Sequence, residues 1–269
     1  MLIAGGGAAG LSCAVQLSLQ GLTRFLRVLI IEPRSRYERD RTWCFWIVIP
    51  HPFEVCVSDS WHTWSVSVGQ RRIDRSWPGL VYQHLPADAF YEKATSLLAA
   101  DPNVELRLGD RVKRVESKPE DNQALAMTDE GPLTASLVLD SRPRGARLEL
   151  DRSSRNAPGH FLQHFHGKTV RSEKPVFSAG VATIMDFVEA RNDGIHFIYL
   201  LPSDERTALI EDTWFSDEPR PVESYEEEIS RYLADRFDVV RYEALHSETG
   251  AIPMDPRPIE PPDGPRQID

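Results

Sequence analysis

The sequence predicts an α/β protein with a doubly wound, mostly parallel sheet first and a second, mainly antiparallel sheet after it. Three observations carry this prediction. Residues 1–4 read as a buried strand, GGGAAG follows, and apolar positions recur at helical spacing over residues 11–19. The β-branched run RVLIIE, residues 27–32, reads as the next buried strand, which completes a strand–turn–helix–strand unit. Later, FIYLL and TALIEDTW lie on either side of PSDER, as expected of a hairpin.

The glycine turn has the spacing of a nucleotide-binding motif. Gly5, Gly7 and Gly10 form G-x-G-x-x-G directly between the first strand and the helix. Gly5 permits the tight turn, Gly7 lets the backbone approach a pyrophosphate, and Gly10 permits close packing of helix and strand. Glu32 ends the next strand, 22 residues after Gly10, where an acid that binds ribose hydroxyls is expected. The motif predicts dinucleotide binding, and by itself it does not separate FAD from NAD.

Other elements follow from local patterns. The predictions are a helix within residues 81–98, strands over 104–108 and 111–116 joined by a Gly109-Asp110 turn, a hairpin over 125–128 and 133–135, a strand over 137–140 and a helix over 225–237.

The predicted domain organisation has three parts. Residues 1–150 form the nucleotide-binding domain, and it stays open whether residues 42–80 interrupt it to contact substrate. Residues 151–252 form the substrate domain. Residues 253–269 read as a loose tail, because six prolines fall between residues 253 and 265.

Composition excludes several classes of function. The formal net charge of -10 argues against nucleic-acid binding, which needs a clustered basic surface. Three cysteines in no CxxC or zinc pattern suit a reducing compartment. No apolar run approaches the roughly 20 residues that a membrane-spanning helix needs.

Six scattered motifs occur in a fixed order after the glycine turn. They are DRTWCFW (40–46), FLQHFHG (161–167), ATIMDF (182–187), FIYLLP (197–202), LIEDTWF (209–215) and ETGAIPM (248–254). Together with the glycine turn they resemble the flavin-dependent lycopene β-cyclases of bacteria and plants. The resemblance runs from the first residue to about Met254.

The resemblance implies a fold, a reaction and a cofactor. The fold is an aromatic-hydroxylase-like flavoprotein architecture, with a Rossmann-like FAD-binding domain and a mainly antiparallel substrate domain. The reaction is an isomerisation that closes the ψ-ends of lycopene into β-rings, through γ-carotene to β-carotene. It requires reduced FAD, with NAD(P)H as electron donor, yet has no net redox change. The expected cofactor-binding residues are Gly5, Gly7, Ala8, Ala9, Gly10, Glu32 and Asp140.

The expected location is the cytoplasm. Because a linear carotenoid dissolves in lipid, we also expect peripheral association with a membrane surface.

The proton that starts cyclisation needs an acid that stays protonated, and burial in apolar surroundings raises a carboxyl pKa. In LIEDTWF, Glu211 is the expected proton donor, and Asp212 is expected to face the opposite side of a regular strand as a structural or electrostatic support. The alternative is that both acids pair with arginines such as Arg206.

Other residues are secondary candidates. Trp43 in DRTWCFW is the best candidate among the tryptophans for cation–π stabilisation of a carbocation, and the alternative for each tryptophan is that it packs in the core. His164 and His166 share a strand face but have no third ligand at metal spacing, so no metal is expected. Asp186 is a weaker candidate for an acid or base.

Two alternatives to the cyclase stay open. The first is an FAD-dependent monooxygenase or reductase acting on an isoprenoid or another apolar substrate, because a fold alone does not fix the reaction. The second is an inactive, truncated cyclase. This chain ends soon after ETGAIPM, where family members continue with a glycine-containing segment that helps close the flavin site.

Overall fold

The computed structural model describes residues 1–118, 121–142, 161–188 and 193–254, and the backbone of residues 267–268. The chain forms two compact units. The first unit is made of Met1–Arg39, Ala87–Ser154 and Arg257–Asp269, and the second of Asp40–Pro86 and Arg155–Pro256. Residues 42–80 therefore belong to the second unit. The boundary predicted between residues 150 and 151 lies outside the described residues.

In the first unit, a parallel sheet carries the nucleotide-binding motif. Its order is β18-β12-β1-β2-β8. The strands are β1 (Leu2–Ala4), β2 (Val28–Glu32), β8 (Val104–Leu108), β12 (Val138–Asp140) and β18 (Gln267–Ile268). Helix α1 (Ala8–Leu19) connects β1 to β2 through a short 3-10 turn at Leu22–Phe25, and helix α2 (Ala87–Ala99) precedes β8. The core under the sheet contains Leu2, Ala4 and Ile31, which all point away from solvent.

A small antiparallel sheet completes the first unit, in the order β11-β10-β9. Its strands are β9 (Val112–Lys118), β10 (Gln123–Thr128) and β11 (Pro132–Ala135). The predicted turn at Gly109-Asp110 therefore joins strands of two different sheets, β8 and β9. The buried Asp110 carboxylate accepts the N–H of Asp129 at 3.0 Å, which ties this connection to the antiparallel sheet.

The second unit contains two sheets. The larger has the order β17-β13-β16-β15-β14-β5-β6, and the smaller has the order β3-β7-β4. The larger sheet is made of β5 (Thr63–Val68), β6 (Arg71–Ser76), β13 (Phe161–Ser172), β14 (Val181–Phe187), β15 (Ile195–Pro202), β16 (Thr207–Ser216) and β17 (Tyr242–Met254). The smaller is made of β3 (Thr42–Ile47), β4 (Asp59–Trp61) and β7 (Val81–Pro86), with a 3-10 turn at Glu54–Cys56.

Both faces of the seven-stranded sheet are covered in part. Helix α3 (Val222–Phe237) packs on one face of the sheet. The side chains that it buries are those predicted from the helical spacing: Tyr225, Ile229, Tyr232 and Leu233. The small sheet packs on the other face, where Trp61 and Tyr82 meet Leu209. We call these the helix face and the acid face of the seven-stranded sheet, for reasons given below.

Two predicted elements differ in the structure. The helix predicted within residues 81–98 is α2, which begins at Ala87, and the residues before it, Val81–Pro86, form strand β7, which was not predicted. The sequence of β7 is short, and a helical pattern of apolar residues begins directly after its last residue, Pro86, so the strand was not recognised. The predicted loose tail over residues 253–269 is also interrupted, because Pro253 and Met254 belong to β17 and residues 267–268 pair with β12. No helix in the described ranges is long and apolar enough to cross a membrane.

Candidate functional site

The glycine turn lies at the carboxyl end of β1, where ligands of open parallel sheets bind. Gly5 has φ +101°, a conformation that favours glycine, and its N–H donates to the Ile31 carbonyl at 2.9 Å. A Cβ at Gly10 would lie 2.0 Å from the Gly5 carbonyl oxygen, so any larger residue there would push α1 off β1. By contrast, a Cβ at Gly7 would meet nothing within 4 Å. The turn therefore leaves open space at Gly7, where the motif predicts that a phosphate approaches the backbone.

The first turn of α1 supplies donors beside that space. Gly7 is the N-cap and makes no side-chain capping hydrogen bond, so the N–H groups at Ala8 and Ala9 have no capping side chain. The positive end of the helix dipole favours an anion at this position.

Glu32 is fixed at the end of β2 by the turn itself. The Gly6 N–H donates to its Oε2 at 2.7 Å, and Arg34 Nε donates to its Oε1 at 2.7 Å. Burial on its own would raise the pKa of Glu32, but the hydrogen bonds and charge of Arg34, with the Gly6 N–H, lower it below its usual value. The result is an ionised, oriented carboxylate, and Oε2 keeps acceptor capacity for a ribose hydroxyl.

Asp140 ends β12 next to Ala4 of β1. Its carboxylate is held by a two-point contact from Arg142, with Nε donating to Oδ1 at 2.8 Å and Nη2 to Oδ2 at 2.7 Å. The neighbouring Ser141 hydroxyl donates to the Gly5 carbonyl at 2.9 Å. Asp140 is thus beside the glycine turn, where it orients Arg142 rather than projecting a free carboxylate.

In the second unit, β16 separates the two acids of LIEDTWF. The strand is regular, so Glu211 and Asp212 point to opposite faces of the seven-stranded sheet. Glu211 points to the acid face and Asp212 to the helix face. Arg206 pairs with neither in the described contacts, since its guanidinium donates to the Glu173 carbonyl.

Glu211 stands in a row of facing residues across four strands. Gly167 of β13 is paired with Glu211 on one side and with Glu248 of β17 on the other. Tyr199 of β15 is the next residue in the row beyond Glu211. A Cβ at Gly167 would lie 3.4 Å from Cγ of Glu248 and 3.6 Å from Oε2 of Glu211. A side chain at Gly167 would crowd Leu209 and both carboxyl groups, so the glycine lets Glu211 and Glu248 come close to each other.

Glu211 is protonated at neutral pH. Burial raises its pKa to about 8, and the charges of Glu248 and Asp212 add to the rise, while the Thr213 hydroxyl opposes it by donating to Oε1 at 2.9 Å. The side chain retains some accessible surface although protein atoms surround it. It is therefore desolvated enough to hold a proton and open enough for a small group to reach it.

Aromatic and thiol groups enclose this carboxyl group. Cys44 of β3 and Tyr82 of β7 share a hydrogen bond and lie within electrostatic range of Glu211, as does Tyr199. Burial raises the pKa of the Cys44 thiol, and it raises that of Tyr199 to about 12, so both groups are neutral at physiological pH. The surroundings of Glu211 are thus neutral and mostly apolar, apart from Glu248.

The sequence comparison gives the family. The model of the lycopene cyclase protein family matches residues 1–262 of the 269 residues. The chain belongs to the lycopene cyclase family. No curated protein matches the chain.

Solved structures confirm the predicted fold class. A geranylgeranyl bacteriochlorophyll reductase-like protein from Thermoplasma acidophilum aligns with a TM-score of 0.66 at 13% identity, over 99% of this chain and 69% of that one. The amino acid oxidase NikD aligns with a TM-score of 0.63 at 14% identity, over 94% and 81%. The flavin-dependent monooxygenase PieE, solved with FAD and substrate, aligns with a TM-score of 0.65 at 12% identity, over 99% and 51%. This cyclase-family chain therefore has a Rossmann-like fold with a second sheet domain.

On the helix face, Asp212 belongs to a buried polar network. Its Oδ1 lies 2.6 Å from Nε2 of His196, and that ring stacks on Trp214 with centroids 4.1 Å apart. Both Asp212 and His196 are almost completely buried. Asp212 therefore anchors the helix face and does not reach the acid face.

The remaining polar candidates have structural partners. His164 contacts the Tyr225 hydroxyl at 2.5 Å and the Ser216 hydroxyl at 2.7 Å, and His166 contacts the Thr249 hydroxyl at 2.7 Å. Asp186 accepts the Tyr232 hydroxyl at 2.9 Å and is paired with Arg236. Within the described ranges, no group of three or more His, Cys, Asp or Glu side chains could hold a metal ion.

Trp43 lies on β3 next to Cys44. Because alternate residues of a strand point to opposite faces, Trp43 points away from the side of β3 that carries Cys44 and Trp46. Its role in cation stabilisation stays a prediction.

Sequence reasoning missed several neighbours of Glu211. Glu248, Gly167 and Tyr199 lie in the recognised motifs ETGAIPM, FLQHFHG and FIYLLP, but no local pattern brings these three strands together. A signal was present for Gly167, since a glycine inside a strand often marks a place where something approaches closely.

Proposed function

We propose that this chain is a lycopene β-cyclase, which closes the ψ-ends of a linear carotenoid into β-rings, with Glu211 as the proton donor. The observation that carries the proposal is a carboxyl group with a pKa of about 8 on an apolar, aromatic-lined sheet face, in a chain of the lycopene cyclase family. The reaction is an isomerisation, because the proton added at the start is balanced by one lost at the end.

The first step needs a proton at a defined atom. The Thr213 hydroxyl donates to Oε1 of Glu211, so Oε2 is the atom that carries the transferable proton. That oxygen lies 3.6 Å from the position that a Cβ would take at Gly167. We infer that the terminal alkene of the substrate approaches Oε2 from the acid face of the sheet.

The tertiary carbocation that follows needs stabilisation without a nucleophile. The aromatic rings of Tyr82 and Tyr199 offer π-faces within the same group of residues, and their hydroxyl groups stay protonated because burial raises their pKa. The buried ring of Tyr82 and the partly buried ring of Tyr199 also restrict water, which would convert the cation to an alcohol.

The first unit fits a flavin dinucleotide. The open space at Gly7, the uncapped start of α1 and the ionised Glu32 suit a pyrophosphate and a ribose. We propose reduced FAD as the cofactor, with NAD(P)H as the electron donor. When bound, reduced FAD supplies negative charge that stabilises a cation. This accounts for a redox cofactor in a reaction without net redox change.

The substrate is a lipid-dissolved carotenoid, so we propose that the protein works at the surface of a membrane in the cytoplasm. Which ring type forms depends on where the last proton leaves, and β-rings are the form that the resemblance implies.

The test is the pigment made by a lycopene-accumulating bacterial host that expresses this chain. The expected product has the mass of lycopene and the absorption spectrum of a β-ring carotenoid, and Glu211→Gln abolishes its formation. The matched control is Glu243→Gln, which removes an exposed carboxylate on β17 that pairs with Arg171.

Two outcomes would contradict the proposal. A product heavier by one oxygen atom would identify a monooxygenase on the same scaffold. Unaltered lycopene in the presence of folded, FAD-loaded protein would identify an inactive member of the family.

A further inference from the structure

The hairpin of β5 and β6 forms an exposed apolar edge of the seven-stranded sheet. β6 is the last strand of that sheet, and all of its residues are exposed. Val68, Ile73 and Trp77 are 62%, 54% and 70% exposed. Trp64, Val66 and Val68 face Arg75, Ile73 and Arg71 across the hairpin, so these six side chains share one face. A large, exposed apolar group with tryptophan is uncommon on a protein that contacts only water.

The charges on this face are basic. Arg72 and Asp74 point to the opposite face, where their side chains form an ion pair at 2.7 Å. Arg71 and Arg75 remain on the apolar face, and neither makes an ion pair with a described residue. The chain as a whole has a formal net charge of -10, so this local excess of positive charge runs against the composition of the molecule.

The apolar edge is continuous with the face that carries Glu211. Trp64 is paired with Ala182 of β14, which packs in the same core as Leu201 and Tyr82. Trp46 of the small sheet contacts both sides of this core. Its ring centroid lies 5.9 Å from that of Trp64 and 4.8 Å from that of Tyr82. Four steps between neighbouring strands, β16-β15-β14-β5-β6, separate Glu211 from the edge. At about 4.8 Å a step, the distance is about 19 Å.

We propose that the β5–β6 hairpin is the surface by which this protein docks on an anionic bilayer, and that the carotenoid enters along the acid face from this edge. The identity of the entering substrate rests on the cyclase function proposed above. The docking on a bilayer does not depend on that function.

A bilayer fits this edge better than a protein partner does. Tryptophan favours the interface between lipid and water, and arginine heads pair with phosphate groups while their stems lie along apolar surface. The arginines also hinder another strand from adding to β6, which is a known use of charge on sheet edges. A second copy that paired its β6 with this one antiparallel around Ile73 would place Arg71 of each copy opposite Arg75 of the other.

The docking is tested by vesicle binding, which does not require catalytic activity. Purified protein is sedimented with vesicles of phosphatidylcholine alone or of equal parts phosphatidylcholine and phosphatidylglycerol. We expect binding to the anionic vesicles that weakens with salt. The pair Arg71→Gln and Arg75→Gln lowers the affinity about fivefold for each arginine, as expected from about 1 kcal/mol per basic residue near an anionic surface. The double variant Ile73→Ser and Trp77→Ser, made in the parent protein, should lose most of the vesicle binding.

The controls separate docking from folding. Phe25→Ser removes an apolar side chain that is 73% exposed in the first unit, and it should leave vesicle binding unchanged. All variants should keep the thermal midpoint of the parent, because the substituted side chains lie more than half in solvent or on the edge strand. Parent-like vesicle binding by the Ile73 and Trp77 pair would overturn the proposal, as would a parent protein that does not bind vesicles. A concentration-dependent dimer that the same pair dissociates would assign the edge to a second copy instead.

The failure of docking and the failure of the cyclase function give different results. If the hairpin variants convert lycopene supplied in detergent but not lycopene in vesicles, both proposals hold. If all proteins convert both forms equally, the entry edge is wrong and the cyclase stands. If binding depends on the hairpin but no protein gives a cyclic product, the docking surface stands and the cyclase is wrong.

Discussion

Glu211 and Glu248 converge on Gly167 from the two strands that flank it. A Cβ at Gly167 would be 3.6 Å from Oε2 of Glu211 and 3.4 Å from Cγ of Glu248. A glycine here leaves room for both carboxyl side chains, so the second carboxyl group can act on the first. The like charge of Glu248 is one reason why the pKa of Glu211 is raised, after burial.

Removing the charge of Glu248 should change the pH profile of cyclisation. With Glu248→Gln the ionised form of Glu211 meets less repulsion, so its pKa falls below about 8. Because the protonated form is the donor, activity should then disappear at a lower pH than in the parent. The measurement is the initial rate with detergent-dispersed lycopene between pH 6 and pH 9. Glu243→Gln on the same strand should leave the midpoint in place, and an unmoved midpoint in Glu248→Gln would show that the two groups are not coupled.

The parent enzyme should lose activity as the pH rises through about 8, where Glu211 gives up its proton. Glu211→Gln keeps the shape of the side chain but has no acidic proton. General acid catalysis contributes about 10²- to 10⁴-fold, so the rate should fall by at least about two orders of magnitude at every pH. FAD binding should be unchanged, because the substitution leaves the glycine turn and Glu32 as they are. A variant with a rate within tenfold of the parent would exclude Glu211 as the donor.

The raised pKa of Glu211 should also appear in stability. The folded protein holds this proton between the ordinary pKa of 4.5 and about 8, while the unfolded chain has released it. Stability from this group is thus complete below about pH 4.5 and is lost as the pH rises towards 8. Relative to Glu211→Gln, the free energy of unfolding of the parent should fall by up to about 1.4 kcal/mol per pH unit in that window. Urea unfolding at pH 5, 6.5 and 8 measures the difference, and parallel pH dependences would contradict the raised pKa.

Much of the first unit could be predicted from the sequence, because its signals are local. Gly5, Gly7, Gly10 and Glu32 lie within one strand–helix–strand unit, and each has a geometric reason to be what it is. The opposite orientation of Glu211 and Asp212 also followed from the alternation of a strand.

The rest of the site could not be predicted because it depends on strand order. The row that contains Gly167, Glu211 and Glu248 joins three strands that are far apart in sequence, and only the order β17-β13-β16 makes them neighbours. Cys44 and Tyr82 come from a further segment, residues 40–86, that folds with the second unit. A pattern of alternating residues tells which side chains share a face, but it does not tell which strands lie next to each other.

The two glycines at the start of α1 should respond differently to alanine. Gly7→Ala adds a methyl group to open space at φ -79°, so stability should stay the same or rise by up to about 1 kcal/mol, while FAD affinity falls. Gly10→Ala places a methyl group against the Gly5 carbonyl and should destabilise the protein by about 3 kcal/mol or more. Urea unfolding of the apoprotein and titration with FAD, followed by flavin fluorescence, distinguish the two. Equal loss of FAD affinity without loss of stability in both variants would mean that Gly10 has no packing role.

Asp212 should matter for stability and not for proton transfer. Asp212→Asn replaces the carboxylate that contacts Nε2 of His196 at 2.6 Å and leaves the strand and its volume intact. Losing a buried hydrogen bond to a charged group costs about 1.5–3 kcal/mol, so the unfolding midpoint in urea should drop clearly. The pH at which cyclisation is lost should move only slightly downwards, because Asp212 is a minor contributor to the pKa of Glu211. His196→Gln should destabilise to a similar extent, and a double variant should cost less than the sum, since both single changes break the same contact. A large loss of rate in Asp212→Asn with unchanged stability would instead place Asp212 in the chemistry.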